Sequence, residues 1–168
     1  RFSNNLFEDS WNKQSIEKIE IKTYETVGVE KRGSFYDSFG ALRDVGQNHL
    51  LEMLALITMK FPLKINANII RQNRAEILKT LKSWSKDDIQ KNTYRAQYEG
   101  YLEIDEVKKN SQTETFFSLK TELTDPNFQG VPIFITAGKK LKEARKEIVV
   151  TMRHPAFCFL CEPGLHTQ

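Results

Sequence analysis

Cysteine is nearly absent. Two in 168 residues exclude a disulfide-rich scaffold and suit a reducing, cytoplasmic setting. No uninterrupted apolar run reaches membrane-spanning length, so no transmembrane helix is expected. The N-terminus has no apolar signal core, so secretion is not indicated. The eight glycines form neither a G-x-G-x-x-G turn nor a Walker loop, and nothing here would cradle a dinucleotide pyrophosphate. Any nicotinamide chemistry needs another stretch of polypeptide. An excess of one charge is also lacking. The net charge of +3 favours anionic ligands slightly, but Lys and Arg are interspersed with Asp and Glu and no reader motif is visible. A nucleic-acid surface is therefore not expected.

What is present reads as one soluble domain over residues 1–168, large enough for a real core. The chain starts at Arg1 without Met and reaches Gln168 without an obvious closing element, so a piece of a longer polypeptide is expected. The polar-aromatic opening Arg1–Trp11 reads as a short helical turn. Ile16–Thr26 then alternates, with Ile19, Ile21 and Thr23 on one face and Lys18, Glu20 and Lys22 on the other, as in a half-buried strand. A long helix is predicted from about Asp37 to Met59, its apolar stripe formed by Leu42, Val45, His49, Met53, Leu56 and Ile57 and its stop by Phe61-Pro62. A second is predicted to start at Asn73 as N-cap, with Glu76 three residues on and Ile77, Leu78 and Leu81 facing inward. From Thr93 the period becomes two, and Tyr94–Leu102, Thr115–Leu123, Val131–Thr136 and Glu147–Met152 read as strands. Helices early and strands late, without regular βαβ alternation, predict an α+β fold with a largely antiparallel sheet packed against helices, and no Rossmann domain.

Three places carry chemistry. His49 lies in "RDVGQNHLLEML" beside Asp44, Gln47 and Asn48. It is either a packed histidine satisfied by a carbonyl or a proton acceptor, as a neutral imidazole near pH 7 is suited to be. On an α-helix Asp44 and His49 stand about 140° apart and about 7.5 Å along the axis, too far to pair but placed to hold different parts of one polar ligand. Glu25 has the parity of the apolar strand face, so it sits at a rim or binds something, since an unpaired buried carboxylate is costly. The run "AGKKLKEARK" places Lys139, Lys140, Lys142, Arg145 and Lys146 after a strand and a glycine, as a solvated surface or a phosphate contact. Cys158, Cys161 and His166 offer three zinc-type ligands with no evident fourth, so no metal is expected.

The stretches "RFSNNLFEDSWN", "YETVGVEKRGSFYDSFGALRDVGQNHLLEMLALITMKFP", "YRAQYEGY" and "DPNFQGVPIFITAGKKL" occur in order and at intervals that resemble the C-terminal, substrate-binding domain of glucose-6-phosphate dehydrogenases, from Arg1 to about Pro155. The tail "AFCFLCEPGLHTQ" matches nothing in that pattern. The resemblance implies NADP-dependent oxidation of glucose 6-phosphate to the 6-phosphogluconolactone, the first step of the oxidative pentose phosphate pathway. It makes His49 the general base acting on the sugar C1 hydroxyl. Glu25 and Asp44 become ligands of sugar hydroxyls, and Lys139 a substrate contact near the phosphate end. It also implies a cytoplasmic homodimer paired through the sheets. A non-catalytic phosphosugar-binding or oligomerisation domain of the same fold is the alternative.

The sequence departs from the pattern in places. The family's cation five residues after Lys139 is replaced by Ala144, with Arg145 one further on as the candidate substitute. The coenzyme domain, the H-Y-L-G-K element that supplies phosphate ligands and orients the base, and the last sheet strands are not in this chain. The segment by itself is therefore expected to be inactive.

Overall fold

The computed structural model describes residues 7, 9–62 and 64–154. β1 (Ile16–Tyr24) leads to α1 (Gly33–Ala41), a π-helical segment (Leu42–Leu50) and α2 (Leu51–Thr58). There follow α3 (Ala67–Leu78), α4 (Lys86–Asn92), β2 (Thr93–Ala96), β3 (Phe116–Thr121), β4 (Ile133–Gly138) and β5 (Arg145–Met152). The strands form one sheet in the order β2-β3-β4-β1-β5. Three pairings are antiparallel, and β1 runs parallel to β4. The fold is α+β with a mixed, mostly antiparallel sheet, and no Rossmann fold appears among the described residues.

The alternation of β1 sets the two faces. Ile19, Ile21 and Thr23 lie opposite Ile133, Ile135 and Ala137 of β4, which in turn face Thr121, Leu119 and Phe117 of β3. Directly opposed residues share a face, and this one is buried under the helices; Leu119 is half-buried at its margin. A register irregularity between Ile16 and Lys18 turns Ile16 inward as well as Ile19. The opposite face carries ion pairs instead: Lys18 to Glu20 at 2.8 Å, Lys22 to Glu20 at 2.9 Å, and Lys22 to Glu147 at 3.9 Å.

The predicted long helix is in fact three segments. Gly40 breaks α1 with φ 74° and ψ 171°, and a π-helix follows before α-geometry resumes. The buried positions are Tyr36, Gly40, Ala41, Gly46, Leu50, Leu54, Ala55 and Thr58. Of the predicted stripe, Leu42, Val45, Met53 and Ile57 pack half-buried against the core, whereas Leu56 is 41% exposed and His49 lies on the solvent side. The break and the wider ladder reset the rotation that a uniform 3.6-residue period assumes.

The second helix starts six residues before Asn73. Asn66 is its cap, and its side chain accepts from the Asn68 N–H at 2.8 Å. Ile77 is buried as expected. α4 was not expected; Ser85 and Asp88 form a reciprocal capping box at its start. β2 ends at Ala96 rather than continuing to Leu102, because Gly100 (φ 85°) turns the chain into a 3₁₀ turn at Tyr101–Glu103. The opening Arg1–Trp11 lies largely outside the described residues.

Candidate functional site

The parallel pairing of β1 and β4 ends with Tyr24 opposite Gly138. The next residue of each strand, Glu25 and Lys139, therefore emerges at the same edge. The Glu25 N–H donates to the Gly138 carbonyl at 2.9 Å, and Lys139 Nζ meets Glu25 Oε2 at 2.5 Å. Lys139 is 5% exposed and Glu25 32%. Lys139 also lies over the Tyr36 ring, 5.6 Å from its centroid. Glu25 stands at the rim of the core, where it pairs with the buried Lys139 ammonium.

The helical half of the site is the π-helical segment. Its ladder joins residues five apart, as in the Leu51 N–H to Gly46 carbonyl bond. Asp44 and His49 are five apart, so on this wider ladder they stand closer around the axis than the roughly 140° of an α-helix. Gly46 allows the wide turn to lie on the sheet: a Cβ there would come within 2.8 Å of Phe117 Cζ. His49 is exposed and makes no side-chain hydrogen bond to another described residue. Among the described residues nothing packs His49 in the way the packed-histidine reading expected.

Tyr36 links the halves. It is fully buried, and among the described residues its hydroxyl has no hydrogen-bond partner. Burial holds its phenol far above the ordinary value, and the charges of Glu114, Asp44 and Glu25 add to that. Sequence reasoning missed both Tyr36 and Glu114; neither stands in a chemical motif, and only the fold shows that they lie against the site.

Arg145 is placed differently. It is paired with Tyr24, on the outer face with Lys22, and it donates to Glu143 at 2.6 Å and to Glu147 at 3.4 Å. The structure does not bring it together with Lys139 and Glu25; Lys146, opposite Thr23, carries the inner-face parity instead. The reason is strand parity: Arg145 carries the parity of Tyr24, opposite to that of Glu25. Cys158, Cys161 and His166 lie outside the described residues. Among the described residues, no group of three or more His, Cys, Asp or Glu is close enough to hold a metal ion.

The family profile described as "Glucose-6-phosphate dehydrogenase, C-terminal domain" matches residues 1–166. The chain belongs to that family. It is 41% identical to the Glucose-6-phosphate 1-dehydrogenase of Aggregatibacter actinomycetemcomitans, the match covering 94% of this chain and 34% of that protein. It is 42% identical to Glucose-6-phosphate 1-dehydrogenase 1 of Mycobacterium tuberculosis strain H37Rv, covering 95% and 34%. The crystal structure of the Mycobacterium avium Glucose-6-phosphate 1-dehydrogenase superposes with a TM-score of 0.86 at 41% identity, over 95% of this chain and 35% of that one. A Glucose-6-phosphate dehydrogenase in complex with its substrate glucose-6-phosphate superposes with a TM-score of 0.84 at 33% identity, over 95% and 34%. The chain spans about a third of the length of the curated relatives it matches. In this chain the Q-N-H residues lie in the π-helical segment, and Gly138-Lys139 at the end of β4.

Proposed function

We propose that this chain is the substrate-binding part of a glucose-6-phosphate dehydrogenase, which oxidises glucose 6-phosphate at C1 to the lactone. The observation that supports it most is the Glu25–Lys139 pair packed against buried Tyr36 at the end of β4, with the π-helical segment that carries Asp44 and exposed His49 lying beside β4. Two carboxylates and an ammonium are the donor and acceptor set that a polyhydroxylated anion needs. An imidazole open to solvent can reach the C1 hydroxyl and take its proton. Glu25 and Asp44 accept from sugar hydroxyls and orient the ring. Lys139, locked by Glu25, supplies positive charge where the substrate carries its negative charge.

Removal of hydride from C1 requires an acceptor, here proposed as NADP. The described residues do not fit it. They contain no strand-to-helix glycine turn, and no residue of this chain is assigned to the coenzyme. The coenzyme belongs to the length the relatives have in addition, and this segment alone is inactive. The enzyme is proposed to act in the cytoplasm, in the oxidative pentose phosphate pathway. No described helix is long and apolar enough to cross a membrane. A homodimer would use the outer sheet face, where Tyr94 and Val149 are exposed.

The test is His49→Asn in the complete dehydrogenase polypeptide. Loss of a general base lowers kcat by about 10²–10⁴-fold and leaves KM for glucose 6-phosphate within a few-fold. A kcat within about threefold of wild type would end the assignment.

A further inference from the structure

Glu114 is a carboxylate that the site description leaves without a task. It lies just before β3 and is 8% exposed. Its Oε1 accepts the Leu42 N–H at 2.9 Å, and Leu42 is the first residue of the π-helical segment. Its own carbonyl accepts the Ala41 N–H at 3.0 Å. Its Oε2 lies 3.7 Å from Arg95 Nη1. Gly40 presses against it: a Cβ at that residue would fall 2.6 Å from Glu114 Oε1. The first N–H of the segment, at Leu42, and the Ala41 N–H just before it are both taken by one residue of a neighbouring strand connection. No side-chain cap of the segment's own serves instead.

The next residue ties that anchor to the other half of the site. The Thr115 N–H donates to the Ala96 carbonyl at 2.9 Å, and the Thr115 carbonyl accepts the Lys139 N–H at 3.0 Å. Glu114-Thr115 therefore holds Leu42 with one residue and Lys139 with the next. The start of the π-helical segment and the end of β4 are thus both hydrogen-bonded to this dipeptide.

We infer that Glu114 is a positioning residue for the dehydrogenase reaction: by anchoring the first N–H of the π-helical segment beside β4 it fixes His49 and Asp44 against Glu25 and Lys139. It touches no substrate. The inference rests on the reading of His49 and Asp44 as site residues. Its signature is an error of geometry, and a displacement of about 1 Å at a reacting group costs on the order of 10²-fold in rate.

The experiment compares Glu114→Ala, Glu114→Gln and Glu114→Asp with His49→Asn in the complete dehydrogenase, by steady-state kinetics and amide hydrogen exchange of residues 42–50. Gln keeps an acceptor at the same reach without the charge; Asp keeps the charge but withdraws the acceptor from Leu42. The expected result is a fall in kcat on the order of 10²-fold for Ala and Asp, with faster exchange at Leu42, and recovery of most of kcat and of protection in Gln. A fold held only by the charge would reverse the order of Gln and Asp and overturn the inference. So would Ala and Asp kcat values within about threefold of wild type while His49→Asn is inactive. If Glu114→Ala does not fold, the Asp and Gln pair decides the matter by the same criteria. An active His49→Asn would instead remove the reading on which the inference rests, a different and separable outcome.

Discussion

Replacing Glu25 by Gln should destabilise the protein far more than replacing Lys139 by Met, although both break the same ion pair. The Lys139 ammonium is 5% exposed, meets Glu25 at 2.5 Å and otherwise faces the Tyr36 ring. Without the carboxylate it is a buried cation with only a neutral amide and an aromatic face for company. Removing one partner of a buried pair costs about 3–5 kcal/mol. Glu25 is 32% exposed, so water can reach part of the vacated place, and Gln retains an acceptor. The loss is then about 2 kcal/mol. Lys139→Met leaves the opposite remainder. The Glu25 carboxylate turns to solvent, and the methionine fills the space against Tyr36, at a cost of about 1 kcal/mol or less. Urea titration followed by circular dichroism reads the difference; at about 1–3 kcal/mol/M it appears as a midpoint lower by roughly 1 M in Glu25→Gln. The double variant should be more stable than Glu25→Gln alone, because it removes the stranded charge. Equal losses in the two single variants, or a larger loss for Lys139→Met, would refute the claim that the lysine is the buried partner.

Gly40→Ala should cost about 2–4 kcal/mol, from strain at φ 74°, ψ 171° together with displacement of the Glu114 carboxylate; a change in thermal midpoint below about 2 °C would contradict it. Asp37 accepts from the Tyr101 hydroxyl at 2.9 Å, the Ser111 hydroxyl and the Lys108 N–H. Burial opposes its ionisation, but these donors outweigh burial and hold its carboxyl below the ordinary 3.8. A depressed value means stability that is present above about pH 4 and lost as pH falls through the folded value. Asp37→Asn should therefore flatten the acid side of a stability profile below about pH 4, and an unchanged slope there would count against the interaction. Lys139→Ala in the complete enzyme should raise KM for glucose 6-phosphate more than for glucose, and equal effects would show that the lysine does not serve the phosphate end.

Local alternation made β1 readable, and its parity placed Glu25 at the inward rim before any fold was known. The D-x-x-Q-N-H and G-K elements likewise singled out Asp44, His49 and Lys139 as candidates. What the sequence hid was phase. A 3.6-residue period carried across Gly40 put His49 on the apolar stripe, whereas the break and the π-ladder place it in solvent and bring Asp44 closer to it around the axis. The pairing of Glu25 with Lys139 spans 114 residues and depends on β1 and β4 running parallel. No short-range signal encodes that, and the antiparallel expectation for the sheet obscured it. Tyr36 and Glu114 were invisible for a related reason. Each is defined by what packs against it from a distant element. Arg145 shows the reverse case, where one residue of strand parity separates a cation that looked available in sequence from the site it was expected to serve.

The central claim is that the β1 and β4 ends and the π-helical segment form one sugar-phosphate site. A crystal structure of the complete dehydrogenase with glucose 6-phosphate bound tests it most directly. The sugar should lie between the Glu25–Lys139 pair and the Asp44–His49 side of the helix, with its C1 hydroxyl about 2.6–3.2 Å from a ring nitrogen of His49. A sugar bound instead in the cleft lined by Lys82, Trp84, Asp88 and Lys120, with His49 still facing open solvent, would contradict it.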